Sequence, residues 1–364
     1  MEAQRQPKIV FLLMSAVNTA ATVDQLARGL VPHLVLVHHD FSQTPVFPLA
    51  APNVLFVPEP RRTGWGFFGF VDGIFHSLRY ALTHLDFDYL QLLSPSCLPI
   101  KPLQQFEAHV SGSAEAHFCS IDLMHDRDAL MSVGYRAFTP EKSLRFRIFR
   151  RLSRTYFGQS GGRRDEAGIW LRTGGGRSVA ARAGLVAVTM LSWPWLGRHI
   201  FDAGFPPYYG SPWFGARRHV VTGMLELFER PGVRDYFSRL CLAEEFLIPT
   251  LLMHLRPVQA PMNHHIQMFD GAHAGAIAEA HIDQLRNCPA YFARKFPDDA
   301  AAPVRLRVLD ELAGAQACVA GPVQAHTQVP TAAARDRAAA LESDARAAEP
   351  LMQPGSARAS GQLG

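Results

Sequence analysis

A chain of 364 residues, 48% of them apolar, can fill one large core, and its length suits a single α/β domain of about 300 residues with appendages. The net charge of +4 is too small for a dedicated nucleic-acid binder, which carries a stronger and more clustered excess. Five scattered cysteines (Cys97, Cys119, Cys241, Cys288 and Cys318) are odd in number and make no CxxC pair, which argues against a disulfide framework and a structural zinc site.

Ile9 to Leu13 is a continuous apolar run, the pattern of a strand covered on both faces. The wider run to Val17 is about half of what a bilayer span needs and lacks the flanks of a signal peptide. The expected location is therefore the cytoplasm, with contact at the inner face of a membrane left open. Ala21 to Leu30 has helical spacing, Leu34 to His38 reads as a second strand ending in His38-His39-Asp40, and Asn53 to Val57 as a third. Gly73 to Leu85 carries a helical apolar stripe, Tyr89 to Leu93 is another buried strand, and Phe118 to Met124 resembles one more. This βαβ alternation predicts an α/β fold with a mostly parallel sheet flanked by helices. Ligands in such sheets sit at the carboxyl ends of strands, so chemistry is expected after His38 and after Leu93.

Between Tyr135 and Arg177 the composition turns basic. Ser143 to Phe157 interleaves arginines with Leu144, Phe146, Ile148, Phe149 and Leu152, as a basic amphipathic helix would. Such a helix suits an anionic membrane surface, making the segment 142–164 a candidate for peripheral contact. Val304 to Leu312 reads as a last helix. One folded domain is expected over residues 1–315, with the basic insertion at about 140–180, and the Ala-, Arg-, Gly- and Pro-rich remainder, 316–364, as a disordered tail.

Three blocks, in order, resemble the core-2/I-branching β-1,6-N-acetylglucosaminyltransferase family, which also holds the peptide O-xylosyltransferases. The first contains His38-His39-Asp40, the Trp65-Gly66 turn, and Phe87 through Ser94 running on to Leu98-Pro99-Ile100-Lys101. The second is Tyr209-Gly210-Ser211-Pro212-Trp213-Phe214 followed by Ala243-Glu244-Glu245-Phe246-Leu247-Ile248-Pro249-Thr250. The third is Tyr291-Phe292-Ala293-Arg294-Lys295-Phe296. The resemblance spans roughly residues 8–310, and the short form is similar to bacterial members. It implies a GT-A-like (Rossmann-like) fold and an inverting transfer of GlcNAc, or xylose, from a UDP-sugar to a hydroxyl on a glycan, a lipid-linked sugar or a protein. It implies no metal and no cofactor, so activity is expected to survive EDTA. One departure stands out. The family usually has Leu-Ser-Gly-x-Asp after the fourth strand, whereas Ser94-Pro95-Ser96-Cys97 lacks the Gly and the Asp.

By resemblance, Glu245 is the catalytic base and Glu244 supports the site, although read alone both are ordinary first-turn acids favoured by a helix dipole. Lys295 with Arg294 is the diphosphate clamp, where fixed cations meet charge developing on departing UDP; a lone Arg-Lys pair would otherwise read as solvated. Asp40 and His39 are placed at the nucleotide, with strand termination the alternative for His39. Ser211 and Trp213 build the sugar wall, or Trp213 is simply core. Trp65 reads as packing on the following helix. Asp86-Phe87-Asp88 looks like a metal-binding Asp-x-Asp, but it precedes its strand and is expected to serve as a turn or cap. His264-His265 and the other histidines have no zinc-like spacing with Cys or Asp. GxGxxG, Walker and GxSxG motifs are absent. A catalytically inactive sugar-nucleotide or glycan-binding relative is the rival reading.

Overall fold

The computed structural model describes residues 6–157, 163–164, 170–171, 179–260, 264–270 and 273–314. The expected tail, 316–364, lies outside the described residues. In chain order the elements are β1 (Ile9–Ser15), α1 (Ala20–Arg28), β2 (Leu34–His39), β3 (Val54–Phe56), α2 (Gly69–His84), β4 (Tyr89–Leu93), β5 (Leu98–Pro99), α3 (Leu103–Val110), β6 (Ala116–His117) and β7 (Ser120–Asp122). Next come α4 (Arg127–Phe138), α5 (Leu144–Phe157), β8 (Arg163–Arg164), β9 (Trp170–Leu171), α6 (Val179–Leu196), β10 (Tyr208–Gly210) and β11 (Gly215–Arg217). The chain continues through α7 (Arg218–Phe228), α8 (Val233–Phe237), α9 (Glu244–Leu255), β12 (Gln259–Ala260), β13 (His265–Gln267), β14 (Phe269–Asp270), β15 (His273–Ala274), α10 (Ile282–Asn287), β16 (Phe292–Arg294) and α11 (Pro303–Glu311).

The central sheet has seven strands in the order β12-β6-β11-β4-β1-β2-β3. Parallel ladders join β4 to β1, β1 to β2 and β2 to β3, in register Leu12 with Leu36 and with Leu92. Only β11 runs antiparallel, between β4 and β6. The fold is therefore the expected α/β architecture with a mostly parallel sheet. β1 explains why: with every residue buried, its side chains alternate between two cores. Val10, Leu12 and Met14 pack with α2, α7 and α9, while Ile9, Phe11 and Leu13 pack with α1, α3, α10 and α11. Each such leucine or phenylalanine contributes about 1.5–3 kcal/mol by leaving water.

Within the expected strand over Phe118 to Met124 only Ser120–Asp122 (β7) forms, pairing with β10, while β6, just before it, pairs with β11. After β7, Asp122 turns the chain, its side chain accepting from Met124 N at 2.7 Å. Asp126 then caps α4 by accepting from Ala129 N at 2.9 Å. A small second sheet, β13-β16-β5, stands beside the first; it carries the Arg294 segment to the end of β4.

Candidate active site

The order β3-β2-β1-β4 places a topological switch between β1 and β4, since the chain leaves β1 to one side and returns on the other. Ligand clefts in doubly wound sheets open at such points. After β4 the chain makes a tight turn, with Cys97 N donating to Ser94 O at 2.9 Å and the Ser94 and Ser96 hydroxyls 2.8 Å apart. Phe296 N then donates to Ser96 O at 2.9 Å. Asp298 accepts from Thr22 Oγ1 at 2.6 Å and Thr19 N at 3.0 Å, at the start of α1. The stretch from Arg294 to Asp298 thus bridges the loops that follow β1 and β4. Arg305, wholly buried, fastens it from behind through Pro297 O, Gln25 Oε1 and Thr22 O.

Arg294 sits over the ring of Trp213, its guanidinium carbon 4.6 Å from the centroid, and donates to Gln267 Oε1 at 3.0 Å. Its Nε is buried without a hydrogen-bond partner, and among the described residues no carboxylate pairs with it. Burial lowers its pKa, only partly offset by Cys97. Neighbouring Lys295 is exposed, its pKa lowered by partial desolvation and by Arg294. Trp213 is 8% exposed, so its indole face holds the guanidinium rather than standing open to a sugar. Ser211 Oγ accepts from Trp213 N at 3.3 Å and fixes this turn.

Glu244 and Glu245 occupy the first turn of α9. Glu245 is paired with Arg136 of α4 at 2.8 Å and keeps 26% of its side chain exposed. Arg136 also reaches Tyr209 Oη at 3.4 Å and lies over the rings of Tyr209 and Phe246. Glu244 is buried, with Oε2 unpartnered. Its pKa is raised to about 7, first by burial and then by the Glu245 charge. Tyr209 and Trp213 are four residues apart, so a chain span of no more than about 14 Å connects the carboxylates' partner to the cations' support.

Asp40 and His39 sit at the end of β2 and are committed to loops. Asp40 accepts from Ser42 N and Oγ, from Gln43 Nε2, and from Thr63 N at 2.6 Å. Burial alone would raise its pKa, but these donors hold it low. His39 bonds Ser15 Oγ and Thr44 O and stacks on Phe47 at 3.7 Å. These residues shape the strand-end loops, and a nucleotide would meet the loops before the carboxylate. Asp86 and Asp88 lie before β4, with Lys8 N donating to Asp88 at 2.8 Å and Lys8 Nζ to Asp86. They tie β4 to β1 at the opposite, N-terminal end of these strands.

Trp65 departs from expectation. It is 85% exposed rather than packed on α2, because Gly66 takes a positive φ of 76° that turns the chain outward, leaving Phe68 to pack against the core. Gly66 O accepts from Leu242 N at 3.3 Å, so this indole flanks the loop that leads into Glu244 and Glu245. Sequence reading missed Arg136, which carries no motif of its own, and left Tyr209, the first residue of the second block, without a role. The only available signal was an arginine on an otherwise apolar helical face.

The basic helix α5 is present as expected, with residues 158–162 of the segment outside the described residues. It packs with α6, a helix the sequence reading did not anticipate. Leu144 (69%) on α5 and Met190 (72%) and Leu191 (75%) on α6 are exposed. No helix among the described residues is long and apolar enough to cross a membrane.

No protein-family model matches the chain, and no curated protein matches it in sequence. Among solved structures it is similar, over 85% of its own length and 97% of theirs, to an active-site mutant of LgtC (13% identity, TM-score 0.33) and to the galactosyltransferase LgtC in complex with donor and acceptor sugar analogs (11% identity, TM-score 0.33). It is also similar to the apo structure of WbbM, a bifunctional glycosyltransferase (8% identity, TM-score 0.31), of which it covers 52%.

Proposed function

We propose that this chain is an inverting glycosyltransferase that moves GlcNAc or xylose from its UDP form to a hydroxyl acceptor, with side-chain cations in place of a metal at the diphosphate. The observation that carries this reading is Arg294. It is a half-buried guanidinium whose buried Nε lacks a hydrogen-bond partner and which no carboxylate pairs with among the described residues, held on Trp213 and Gln267 beside exposed Lys295, at the switch point of the sheet. A buried cation without a counter-charge is costly, and a bound diphosphate would supply the missing charge. The three sequence blocks that resemble the core-2/I-branching family supply the donor class.

In this reading Glu245 takes the proton of the acceptor hydroxyl while that oxygen attacks the anomeric carbon from the face opposite UDP. The bond from the anomeric carbon to the β-phosphate oxygen breaks, and the charge that builds on UDP is met by Lys295 and Arg294. Arg136 positions the Glu245 carboxylate. Glu244, buried behind it, carries a proton near neutral pH and so limits repulsion within the pair. Trp65 offers an exposed aromatic face for a sugar ring beside the Glu245 loop.

A thermal-shift panel of UDP-sugars tests the donor, because a ligand that binds the native state raises the melting temperature. UDP-GlcNAc or UDP-xylose should give the largest shift, and NMR of the transfer product should show the opposite anomeric configuration from the donor. No shift with any UDP-sugar refutes the reading. A second reading, a sugar-nucleotide-binding protein without turnover, draws support from the Ser94-Cys97 turn and from the engagement of Glu245 by Arg136. Donor binding with no transfer to any hydroxyl would select it.

The α5–α6 pair adds a site for an anionic membrane surface, with exposed Arg147 and Arg150 beside the exposed Leu144, Met190 and Leu191. The protein should co-sediment with phosphatidylserine-containing vesicles at low salt and leave them at high salt. Equal binding to neutral vesicles, or none to either, refutes it.

A further inference from the structure

Away from the Arg294 and Glu245 region, three histidines that are far apart in sequence meet under α3. His109 ends that helix, His117 ends β6, and His264 precedes β13. One ring nitrogen from each lies within 4.8 Å of the others. His117 and His264 are 1% and 3% exposed, with ring centroids 3.9 Å apart. The Nε2 atoms of both are buried without a hydrogen-bond partner.

The surroundings fix which nitrogen is bare. Gln91 Nε2 donates to the carbonyls of Leu92 (3.2 Å) and Phe214 (3.0 Å), so its Oε1 faces His264 Nδ1 at 2.8 Å as an acceptor. The proton of His264 therefore sits on Nδ1, and Nε2 presents a lone pair. Tyr89 Oη lies 2.7 Å from His117 Nδ1 and can impose the same arrangement there. Gly215 of β11 pairs in register with both Gln91 and His117. A side chain at this position would strike the Tyr89 hydroxyl and the Gln91 amide, so the glycine leaves the room these two partners occupy. Metal-binding histidines characteristically donate their second ring N–H to such a partner. Burial, more than any neighbouring charge, lowers the pKa of all three rings, His117 to about 3.

We propose that His109, His117 and His264 bind one borderline divalent cation, Zn²⁺ foremost, through three imidazole nitrogens, with the remaining position open on the solvent side of His109. Imidazole ligands suit zinc, copper and nickel over magnesium or manganese. A tetrahedral zinc wants its nitrogens about 3.3 Å apart, from bonds of about 2.0–2.1 Å. The three ring nitrogens, all within 4.8 Å of one another, would draw together by small side-chain rotations as the ion binds, exposed His109 moving most freely. The nearby positive charge of Lys101 works against the ion, but its ammonium is drawn onto the Tyr291 ring, 5.4 Å from the centroid. The bound ion would tie α3, β6 and the entry to β13, the strand whose Gln267 holds Arg294. The site does not depend on the sugar-transfer reading.

The full chain, freed of metal by dialysis against chelator, is titrated with Zn²⁺ and with Co²⁺. We expect one saturable equivalent, the visible absorption of tetrahedral Co²⁺, and a melting temperature several degrees higher with Zn²⁺. His109→Ala should weaken Zn²⁺ binding at least 100-fold while leaving the metal-free melting temperature unchanged, because His109 is exposed. Tyr89→Phe should weaken it about 10–100-fold, and His84→Ala, at an exposed histidine on α2, should change nothing. Absence of saturable Zn²⁺ binding, wild-type affinity in His109→Ala, or an equal loss in His84→Ala overturns the proposal.

Discussion

The two halves of the candidate site handle charge in opposite ways. Around α9, two adjacent carboxylates face one guanidinium: Arg136 neutralises Glu245, and Glu244 is left buried with its pKa raised to about 7. Around β16, a half-buried Arg294 and an exposed Lys295 have no carboxylate partner among the described residues, and the guanidinium rests instead on an indole face and a neutral amide. The acidic half is balanced by the protein itself, whereas the basic half is left for something to complete. In the proposed reading a bound diphosphate supplies that missing charge.

The sharpest break of this comparison is Glu245→Gln. Gln keeps an acceptor for Arg136, so the protein should stay folded while turnover falls about 10²–10⁴-fold and UDP affinity changes less than about threefold. An equal loss of UDP binding would place Glu245 in the nucleotide half instead. Lys295→Ala should do the converse, weakening UDP binding by about 10–100-fold, as expected for a lost charge-assisted contact to phosphate, and lowering turnover with it. Calorimetric titration with UDP checks this, and an unchanged affinity would remove Lys295 from the clamp.

Glu244→Gln probes the acidic half through stability. A carboxyl whose folded pKa is raised destabilises the fold once ionised. Its penalty is absent below about pH 4.5, grows as pH rises from there to about 7, and is constant above that. The variant should therefore match wild type at pH 4 and exceed it at pH 8 by roughly 2–3 kcal/mol, read by denaturant melts at both pH values. The same gain at both would mean that Glu244 is not held near neutrality. Turnover without added Mn²⁺ or Mg²⁺ should lie within about twofold of turnover with them, since the clamp uses side-chain cations; a strict requirement would reopen Asp86 and Asp88. Smallest of all, Trp65→Ala should raise the sugar substrate's KM by a few fold with an unchanged melting temperature, because the ring is exposed. A large stability loss would return it to the packing role.

Much of the fold was legible in the chain. Ile9 to Leu13 and Tyr89 to Leu93 read as strands buried on both faces, because only a sheet covered twice tolerates unbroken apolar runs. The helical stripes at α1, α2, α5 and α11 were equally plain from their spacing. The short strands β6, β7, β10 and β11 were not, since two or three residues carry no period and owe their conformation to neighbours. The site was partly legible. Arg294, Lys295, Glu244 and Glu245 were proposed through resemblance, but Trp65 was assigned to packing because a turn's positive φ leaves no trace in apolar patterning.

What the sequence determined alone was the alternation of strands and helices and the absence of an early membrane-length run, since periodicity is a local property. Partnership was decided by tertiary structure. Arg136 meets Glu245 across 109 positions, and His264 meets Gln91 across 173. Charge balance, tautomer and the convergence of His109, His117 and His264 depend on which side chains arrive at one place. That is set by how the sheet orders its strands, and no window along the chain contains it.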